Sequence, residues 1–205
     1  FDSKGPISVV GKAPHLSGYA SLKLAPEDVA RVPEWLKGQV AVSMRNADGE
    51  QIDATSLQIA GVLDDLYTYD GPLGPTFDGD VPTLRLWAPT AGAVVLHVYN
   101  DGQTNSDQTF PMTLDAETGV WSVTGTPDWK GKYYLYDVSV FVPRIGQITS
   151  NLVTDPYALS LSTNSTRSQI VDLNDAALQP EGWASTAKPT LAAPEDAVIY
   201  ELHVR

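Results

Sequence analysis

Short runs of β-branched and aromatic residues, separated by turns, dominate this chain of 205 residues. The turns include "NADGE" (46–50), "NDGQ" (100–103) and "DAETG" (115–119), which place Asp or Asn near a glycine that accepts a positive φ. The runs are Val40–Met44, Leu84–Trp87, Val94–Tyr99, Val120–Thr124, Tyr133–Val142 and Gln169–Leu173. Many short strands with turn signals between them predict an all-β fold of two β-sandwich-like domains in tandem.

One segment has a helical composition. "APEDVARVPEWLKG" (25–38) begins with acidic residues and ends with Lys37 before Gly38. Because Pro33 removes a main-chain donor inside this segment, we expect two short helical turns in place of one long helix.

Two stretches read as connections. The first, "DGPLGPTFDGDVP" (70–82), is dense in Gly, Pro and Asp, and the second, "LQPEGWASTAKPTLAAPED" (178–196), is rich in Pro and Ala. We therefore predict a β-rich domain at 1–75, an immunoglobulin-like sandwich at 81–177, a linker at 178–196 and a final strand at 197–205.

Composition excludes several classes of partner. The net charge is −12 with no basic stripe, which argues against binding to nucleic acid or to an anionic membrane. No apolar run approaches the length of a membrane span. Cysteine is absent, so disulfides and thiolate metal sites are excluded. The compartment stays open, with an extracellular or bacterial cell-surface location favoured.

No recognised catalytic motif occurs, and we assign no catalytic residue and no metal ligand. His15, His97 and His203 lie far apart in sequence, and structural or surface roles are favoured for His15 and His97. The acidic stretches "LDDLYTYDG" (63–71) and "FDGD" (77–80) lack EF-hand spacing and are interpreted as solvated loops, with Ca²⁺ left open as an alternative.

The five tryptophans raise the question of sugar binding, because pyranose rings stack on exposed indoles. Trp87 and Trp121 lie in strand-like runs and are expected in the core. Trp35 and Trp183 are expected to anchor a short helix and the linker. Trp129, in "TPDWKGK", is the candidate for partial exposure and for carbohydrate binding, with a packed loop anchor as the alternative. The sequon at Asn164 reads as a polar turn.

Four segments in order resemble one family. They are "LRLWAPTAGAVVLHVYNDG" (84–102), "GVWSVTGTPDWKGKYYLYDVSVF" (119–141), "VTDPYALSLSTNSTRSQIVDLND" (153–175) and "AVIYELHVR" (197–205). The chain resembles the N-terminal part of pullulanase and limit-dextrinase enzymes of the α-amylase superfamily. The first three segments match the family-48 carbohydrate-binding-type sandwich, and the fourth matches the first strand of the (β/α)8 barrel. Residues 1–66 resemble the β-domain that precedes the sandwich.

The resemblance implies a parent enzyme that hydrolyses α-1,6 branch linkages in pullulan, starch or glycogen-derived dextrins with retention. Retention requires two carboxyl groups about 5–5.5 Å apart. The family places them on later barrel strands, in motifs that this sequence lacks, so we expect the 205-residue chain to be inactive by itself. No cofactor is expected to be required, and Ca²⁺ in the parent enzyme is left open.

The resemblance also implies weak independent sugar binding. Glycogen-binding relatives carry exposed tryptophans near the counterparts of "GQTNSDQ" (102–108) and "RIGQITSN" (144–151), and neither stretch contains an aromatic residue here. The expected partners are therefore the catalytic barrel, in the same polypeptide or as a separate chain, and the α-glucan substrate of the parent. The alternatives are a free-standing α-glucan-binding module, which an exposed Trp129 would favour, and a β-sandwich interaction protein.

The ending "VIYELHVR" (198–205) is a β-branched and aromatic run typical of a buried strand. As the first strand of a barrel absent from this chain, it would need a covering surface. We expect it to be frayed, rearranged onto the sandwich or held by a second chain.

Overall fold

Antiparallel strands make up most of the regular structure, in agreement with the all-β prediction. The computed structural model describes residues 2–6, 20–105, 107–188 and 190–202. The chain divides into two compact units, Phe1–Asp172 and Leu173–Arg205. None of the described helices is both long and apolar enough to cross a membrane.

The N-terminal part of the first unit consists of two β-ribbons and three short helices. Strands β1 and β2 pair antiparallel, as do β3 and β4. The elements are β1 (Asp2–Pro6), β2 (Ala20–Lys23), α1 (Pro26–Val29), α2 (Val32–Trp35), β3 (Ala41–Arg45), β4 (Gln51–Ser56) and α3 (Ala60–Leu66).

The helices confirm one prediction and correct another. The segment 25–38 forms two four-residue helices, and Pro33 lies in the first turn of α2, where its missing N–H costs nothing. Helix α3 (Ala60–Leu66) contradicts the prediction of a loop over residues 63–66, whereas 67–71 form no helix or strand, as predicted. It begins after Ile59 without a side-chain cap, so no start signal for it is present in the sequence.

The remainder of the first unit is a sandwich of two antiparallel sheets. Sheet I has the order β5-β6-β10-β9, and sheet II has the order β12-β11-β7-β8 with β13 paired to the start of β11. The strands are β5 (Gly74–Asp78), β6 (Val81–Trp87), β7 (Ala93–Tyr99), β8 (Asp107–Pro111), β9 (Thr113–Asp115), β10 (Val120–Thr124), β11 (Tyr133–Val142), β12 (Gln147–Val153) and β13 (Ser168–Gln169).

The stretch 70–82 is more than a connection. It contains β5, which pairs with β6 through a tight hairpin at Gly79 and Asp80, and Gly79 has a φ of 58°. The hairpin contradicts the interpretation as loop, because the Asp and Gly residues mark a turn inside the sandwich.

The core lies between the two sheets and follows strand alternation. On β6, Leu84 and Leu86 are buried while their neighbours are half-exposed, and on β7 every second residue from Val94 is buried. The other buried core side chains are Ala91, Met112, Trp121, Trp129, Tyr134, Tyr136, Val138 and Ile170.

One segment belongs to both sheets. Strand β8 pairs in sheet II and β9 pairs in sheet I, with Met112 as the single residue between them. The Met112 N–H donates to the Val94 carbonyl at 3.0 Å, and the Met112 side chain is buried in the core. A strand that switches sheets in this way forms a corner of the sandwich.

The second unit, Leu173–Arg205, has two 3₁₀ turns, Ala176–Leu178 and Pro194–Asp196, and no strand among its described residues. Residues 197–202 do not form the predicted strand, and Val198 and Ile199 are 93% and 91% exposed. A strand requires a neighbouring ladder, and no described residue supplies one here. His203, Val204 and Arg205 lie outside the described residues.

Candidate functional site

Trp129, the predicted carbohydrate-binding residue, lies in a 3₁₀ turn, Pro127–Trp129, directly after β10. Its side chain is only 4% exposed. The Trp129 ring is tilted by 54° against the Phe110 ring of β8, with 4.6 Å between the ring centroids. The partial exposure expected for Trp129 is therefore wrong, because the turn directs the indole inward between the sheets.

Gly125 shows how tightly the turn closes over this indole. A Cβ atom at Gly125 would lie 2.2 Å from Cε3 of Trp129, so no side chain fits there. Main-chain bonds hold the turn, since the Trp129 N–H donates to the Thr126 carbonyl at 3.0 Å and the Lys132 N–H donates to the Trp129 carbonyl at 3.0 Å. Trp129 is a packed loop anchor, the alternative weighed above, and sugar binding at this residue stays a prediction.

The polar rim of the turn is a small surface network. Lys132 Nζ donates to Asp128 Oδ2 at 2.8 Å, and Thr126 Oγ1 donates to Asp128 Oδ1 at 2.5 Å. These donors, Lys132 first, hold the pKa of Asp128 below its usual range. Both oxygens of the Asp128 carboxylate thus accept hydrogen bonds from side chains at the same turn.

Hydrogen bonds at Asp101 hold the start of the loop at 102–108, and one of them comes from Arg167, which is distant in sequence. Asp101 Oδ1 accepts hydrogen bonds from the Gln103 and Thr104 N–H groups, each at 2.7 Å, and these bonds lower the pKa of Asp101. The guanidinium of Arg167 lies 3.8 Å from the centroid of the Tyr99 ring, and its Nη1 donates to the Asp101 carbonyl at 2.9 Å.

Arg167 and Tyr99 are 8% and 5% exposed. The structure therefore brings an aromatic ring to this loop, but the Tyr99 side chain is buried and Arg167 covers one of its faces. Sequence reasoning missed Arg167, because it lies 66 positions after the Asp101 carbonyl that it holds.

The second stretch, 144–151, is largely a strand and not a loop. Residues 147–151 belong to β12, which pairs along β11 from Gln147 to Val153, and only 143–146 form the turn. The exposed apolar side chains here are aliphatic, and Ile145 and Ile148 are 52% and 66% exposed.

A buried carboxyl group organises the segment after β12. Asp155 is 4% exposed, and its Oδ2 accepts hydrogen bonds from Tyr134 Oη at 2.6 Å and Tyr136 Oη at 3.3 Å. Its Oδ1 accepts the Tyr157 N–H at 2.8 Å, and its own N–H donates to Ser168 Oγ at 2.9 Å.

Burial raises the pKa of Asp155, and the tyrosine donors oppose that shift. Burial also raises the pKa values of Tyr134 and Tyr136. Because the Asp155 side chain is 4% exposed and both of its oxygens accept hydrogen bonds from this chain, we interpret the cluster as structural.

The predictions for the other four tryptophans have different outcomes. Trp121 is 8% exposed, as expected for a core residue. Trp87 is half-buried, and its Nε1 donates to the Tyr67 carbonyl. Trp183, expected to be an anchor, is instead 64% exposed in the second unit. Trp35 is half-buried, with Arg31 at 5.0 Å from its ring centroid.

The ionisable candidates among the described residues show no metal-binding geometry. In the part of the chain that the structure describes, no three His, Asp or Glu side chains are grouped closely enough to hold a metal ion. Asp80 forms an ion pair with Lys130 at 3.3 Å, and His97 Nδ1 pairs with Asp107 Oδ2 across β7 and β8. His15 and His203 lie outside the described residues, and Ca²⁺ in a parent enzyme stays a prediction.

An apolar cavity of about 1120 Å³ lies among the ribbons and helices of the N-terminal part. Its lining is mainly aliphatic, including Leu22, Val32, Leu36, Val42, Leu57 and Ile59. The lining also includes Trp35 and the polar residues Asp28, Glu34, Gln39 and Gln58.

Comparison with known proteins identifies the two domains. Residues 6–65 match a protein-family model described as the pullulanase N2 domain, and residues 72–158 match the model for carbohydrate-binding module 48, the isoamylase N-terminal domain. The chain resembles the N-terminal part of pullulanases. The turn containing Trp129, the Asp155 carboxyl group and the hairpin β11–β12 all lie within module 48.

Two curated pullulanases illustrate the extent of the similarity. Pullulanase 1, chloroplastic, of Arabidopsis thaliana is 41% identical over 202 residues, which cover 98% of this chain and 21% of that protein. The pullulanase of Klebsiella pneumoniae is 43% identical over 203 residues, covering 94% of this chain and 18% of that protein. The chain thus spans about a fifth of the length of these relatives.

Solved pullulanases share the fold. The crystal structure of Klebsiella pneumoniae pullulanase complexed with maltotriose superposes with a TM-score of 0.78 at 42% identity, over 85% of this chain and 16% of that one. The chain corresponds to the N2 domain and module 48, the non-catalytic N-terminal domains of these pullulanases.

Proposed function

We propose that this chain is the structural N-terminal portion of an enzyme that hydrolyses α-1,6-glucosidic branch linkages in pullulan, starch or glycogen-derived dextrins. The similarity to the N-terminal part of pullulanases supports the activity of the parent, and the maltotriose complex of a relative supports the α-glucan substrate class. The chain's own contribution is to support the catalytic barrel of the same polypeptide.

The observation that carries the structural role is the burial of Trp129. An indole that is 4% exposed and packed on Phe110 has no free face for a pyranose ring. The loop at 102–108 is held by Arg167 and exposes no aromatic ring from its described residues. Aromatic stacking is worth about 1–3 kcal/mol per contact on nucleobases, so its absence lowers sugar affinity strongly.

The chemistry of retention assigns the reacting carboxyl groups to the rest of the parent enzyme. The nucleophile and the acid/base residue must flank the scissile bond about 5–5.5 Å apart. The buried carboxyl of this chain, Asp155, is engaged by two tyrosines and a main-chain N–H, and is out of reach of a glucan.

Pullulan hydrolysis tests the proposal. The parent polypeptide should release maltotriose from pullulan, and the purified 205-residue chain should release none at equal molar concentration. Hydrolysis by the 205-residue chain would contradict the non-catalytic role, and an inactive parent would contradict the assigned activity.

A free-standing α-glucan-binding module is the second candidate, favoured by one observation, the 64% exposure of Trp183. Affinity electrophoresis in amylose gels separates the two candidates. We expect no retardation of the chain. Retardation that Trp183→Ala abolishes would establish the binding module instead.

A further inference from the structure

Four Asp-Gly pairs occur in the sequence, beginning at Asp48, Asp70, Asp78 and Asp101. Such a pair can rearrange without an enzyme, because the main-chain nitrogen of the glycine can attack the side-chain carboxyl carbon of the aspartate. Glycine favours this attack, since it has no side chain to hinder the nitrogen and allows the main chain a wide range of φ and ψ. The aspartate must first rotate into the geometry of attack, so the structure around each pair decides whether the reaction occurs.

Two of the pairs are held by a turn and by a strand. The Gly49 N–H donates to the Asn46 carbonyl at 3.1 Å and closes the turn that contains Asp48. Asp78 pairs with Val81 in the hairpin of β5 and β6. Both aspartates would have to break local hydrogen bonds before their main chain could rotate.

The pair at Asp101 is held through its side chain and its main chain. Asp101 Oδ1 accepts the N–H groups of Thr104 and Gln103, which lower the pKa of the Asp101 carboxyl group. The Asp101 carbonyl accepts Arg167 Nη1 at 2.9 Å. A carboxyl group held in its ionised form is a poor electrophile here, because the attack proceeds on the neutral acid.

The pair Asp70–Gly71 lacks these restraints. Both residues are exposed, and neither belongs to a helix or a strand. In the part of the chain that the structure describes, no hydrogen bond reaches the Asp70 carboxyl group or the Gly71 N–H. Asp70 can therefore rotate without breaking a hydrogen bond of its carboxyl group.

We propose that Asp70 is a modification site, at which the chain converts aspartate to isoaspartate by way of a cyclic imide. In the first step the Gly71 nitrogen forms a bond to Asp70 Cγ, and the carboxyl hydroxyl leaves together with the amide proton as water. In the second step water adds to one of the two imide carbonyl groups. Opening at Cγ restores aspartate, and opening at the main-chain carbonyl carbon gives isoaspartate, so the product has the same mass as the original chain.

The position of the site gives the modification a structural consequence. Asp70 lies in the connection between the N2 domain (6–65) and module 48 (72–158), soon after Tyr67, whose carbonyl accepts the Trp87 indole. Isoaspartate routes the main chain through Cβ and Cγ of the residue, which adds a methylene group to this connection. The modification therefore lengthens the connection and leaves both matched domains unchanged.

Ageing of the purified 205-residue chain at near-neutral pH tests the site. Peptide mapping with electron-transfer dissociation measures isoaspartate at each Asp-Gly pair, because this fragmentation produces ions specific to isoaspartate. We expect isoaspartate to accumulate at Asp70 about 10-fold faster than at Asp48, Asp78 or Asp101, since those pairs must first open locally. Equal rates at the four pairs of the folded chain would overturn the proposal, and so would an absence of isoaspartate at Asp70.

The same incubation in urea separates the effect of the fold from that of local sequence. In the unfolded chain the restraints on Asp48, Asp78 and Asp101 are gone, so the advantage of Asp70 should disappear. An advantage that persists in urea would show that local sequence selects Asp70, and would overturn the structural argument.

Two variants complete the test. Asp70→Glu keeps the charge but requires a larger imide ring, which forms much more slowly, so the signal at this position should vanish while the other pairs are unaffected. Gly71 is left in place, because a Cβ there would lie 2.4 Å from the Tyr69 ring. Asn46→Ala removes the side-chain acceptor of the Asp48 N–H and should speed isoaspartate formation at Asp48. Unchanged formation at Asp48 in that variant would overturn the protective role assigned to hydrogen bonds.

Discussion

The indole Nε1–H of Trp87 donates a hydrogen bond to the main-chain carbonyl of Tyr67, with 3.1 Å between the two atoms. Tyr67 directly follows helix α3, in the connection between the N2 domain (6–65) and module 48 (72–158), and Trp87 ends strand β6 of module 48. The Tyr67 side chain is 7% exposed. The bond therefore ties the connection that follows the N2 domain to the first sheet of module 48.

Loss of this bond should loosen the joint. Trp87→Phe keeps an aromatic ring but leaves the Tyr67 carbonyl without its donor, so we expect a cost of about 1 kcal/mol. Urea unfolding measures the cost, and hydrogen exchange should speed up in α3. The matched control is Trp121→Phe, which removes a bond to the Ala88 carbonyl inside module 48 and should leave exchange in α3 unchanged. Unchanged exchange in α3 of the Trp87→Phe variant would contradict the role of the bond as a joint.

Gly119 should be intolerant of any side chain. Its φ is 72°, and a Cβ would lie 2.6 Å from Pro89 Cβ and 3.2 Å from Tyr67 Cδ1. Gly119→Ala adds the strain of a left-handed backbone to overpacking, so we expect a loss of roughly 2–5 kcal/mol in the free energy of unfolding. Gly49→Ala is the control, because Gly49 has a φ of 83° and no atom within 4 Å of its Cβ position. Urea unfolding measures the loss of free energy of unfolding in both variants. An equal loss at Gly119 and Gly49 would show that Pro89 and Tyr67 leave room for a side chain at Gly119.

The buried carboxyl group should make stability depend on pH. Burial raises the pKa of Asp155 above its ordinary value of 3.8, so the folded state binds the proton more tightly than the unfolded state. The resulting contribution is fully present below pH 3.8 and is lost as the pH rises through the folded pKa. The free energy of unfolding of the wild type minus that of Asp155→Asn should therefore fall with rising pH across this window.

Asp128→Asn is the control of opposite sign. The Lys132 donor lowers the pKa of Asp128 below 3.8, so this contribution is present above that pH and disappears as the pH falls through the folded pKa. Urea titrations at several pH values measure both differences. A difference for Asp155 that grows with pH would show that hydrogen bonding outweighs burial there.

Replacement of Trp129, which is buried, and of Trp183, which is exposed, should have very different effects on the free energy of unfolding. Trp129→Ala removes a core side chain and should lower the free energy of unfolding by about 3–5 kcal/mol. Trp183→Ala, at a position that is 64% exposed, should change it by no more than about 0.5 kcal/mol. Chemical denaturation followed by circular dichroism measures both, and a small effect at Trp129 would contradict its role as an anchor.

The sandwich was predictable because its strands carry their own pattern. Strands β6, β7, β10 and β11 contain the predicted runs, with apolar side chains on alternate positions and Asp or Gly at the turns. The prediction for 25–38 also holds, because proline acts on the residues next to it.

Features that depend on distant contacts were not predictable. Helix α3 has no capping side chain, and β5 lies in a stretch whose composition is that of a loop. Five tryptophans look alike in sequence, yet Trp129 is buried by Phe110 and Trp183 is exposed. The tyrosine partners of Asp155 lie 19 and 21 positions before it, so only the fold reveals them.

The passage of the chain through Met112 has a mechanical consequence for module 48. Strands β8 and β9 form one nearly continuous strand, and β8 is hydrogen-bonded to sheet II while β9 is hydrogen-bonded to sheet I. Separation of the two sheets therefore requires hydrogen bonds to break in at least one of them. A force applied along the polypeptide would meet both sheets as one unit. In a polypeptide where this domain is connected in series with others, the two sheets would therefore resist an applied force together.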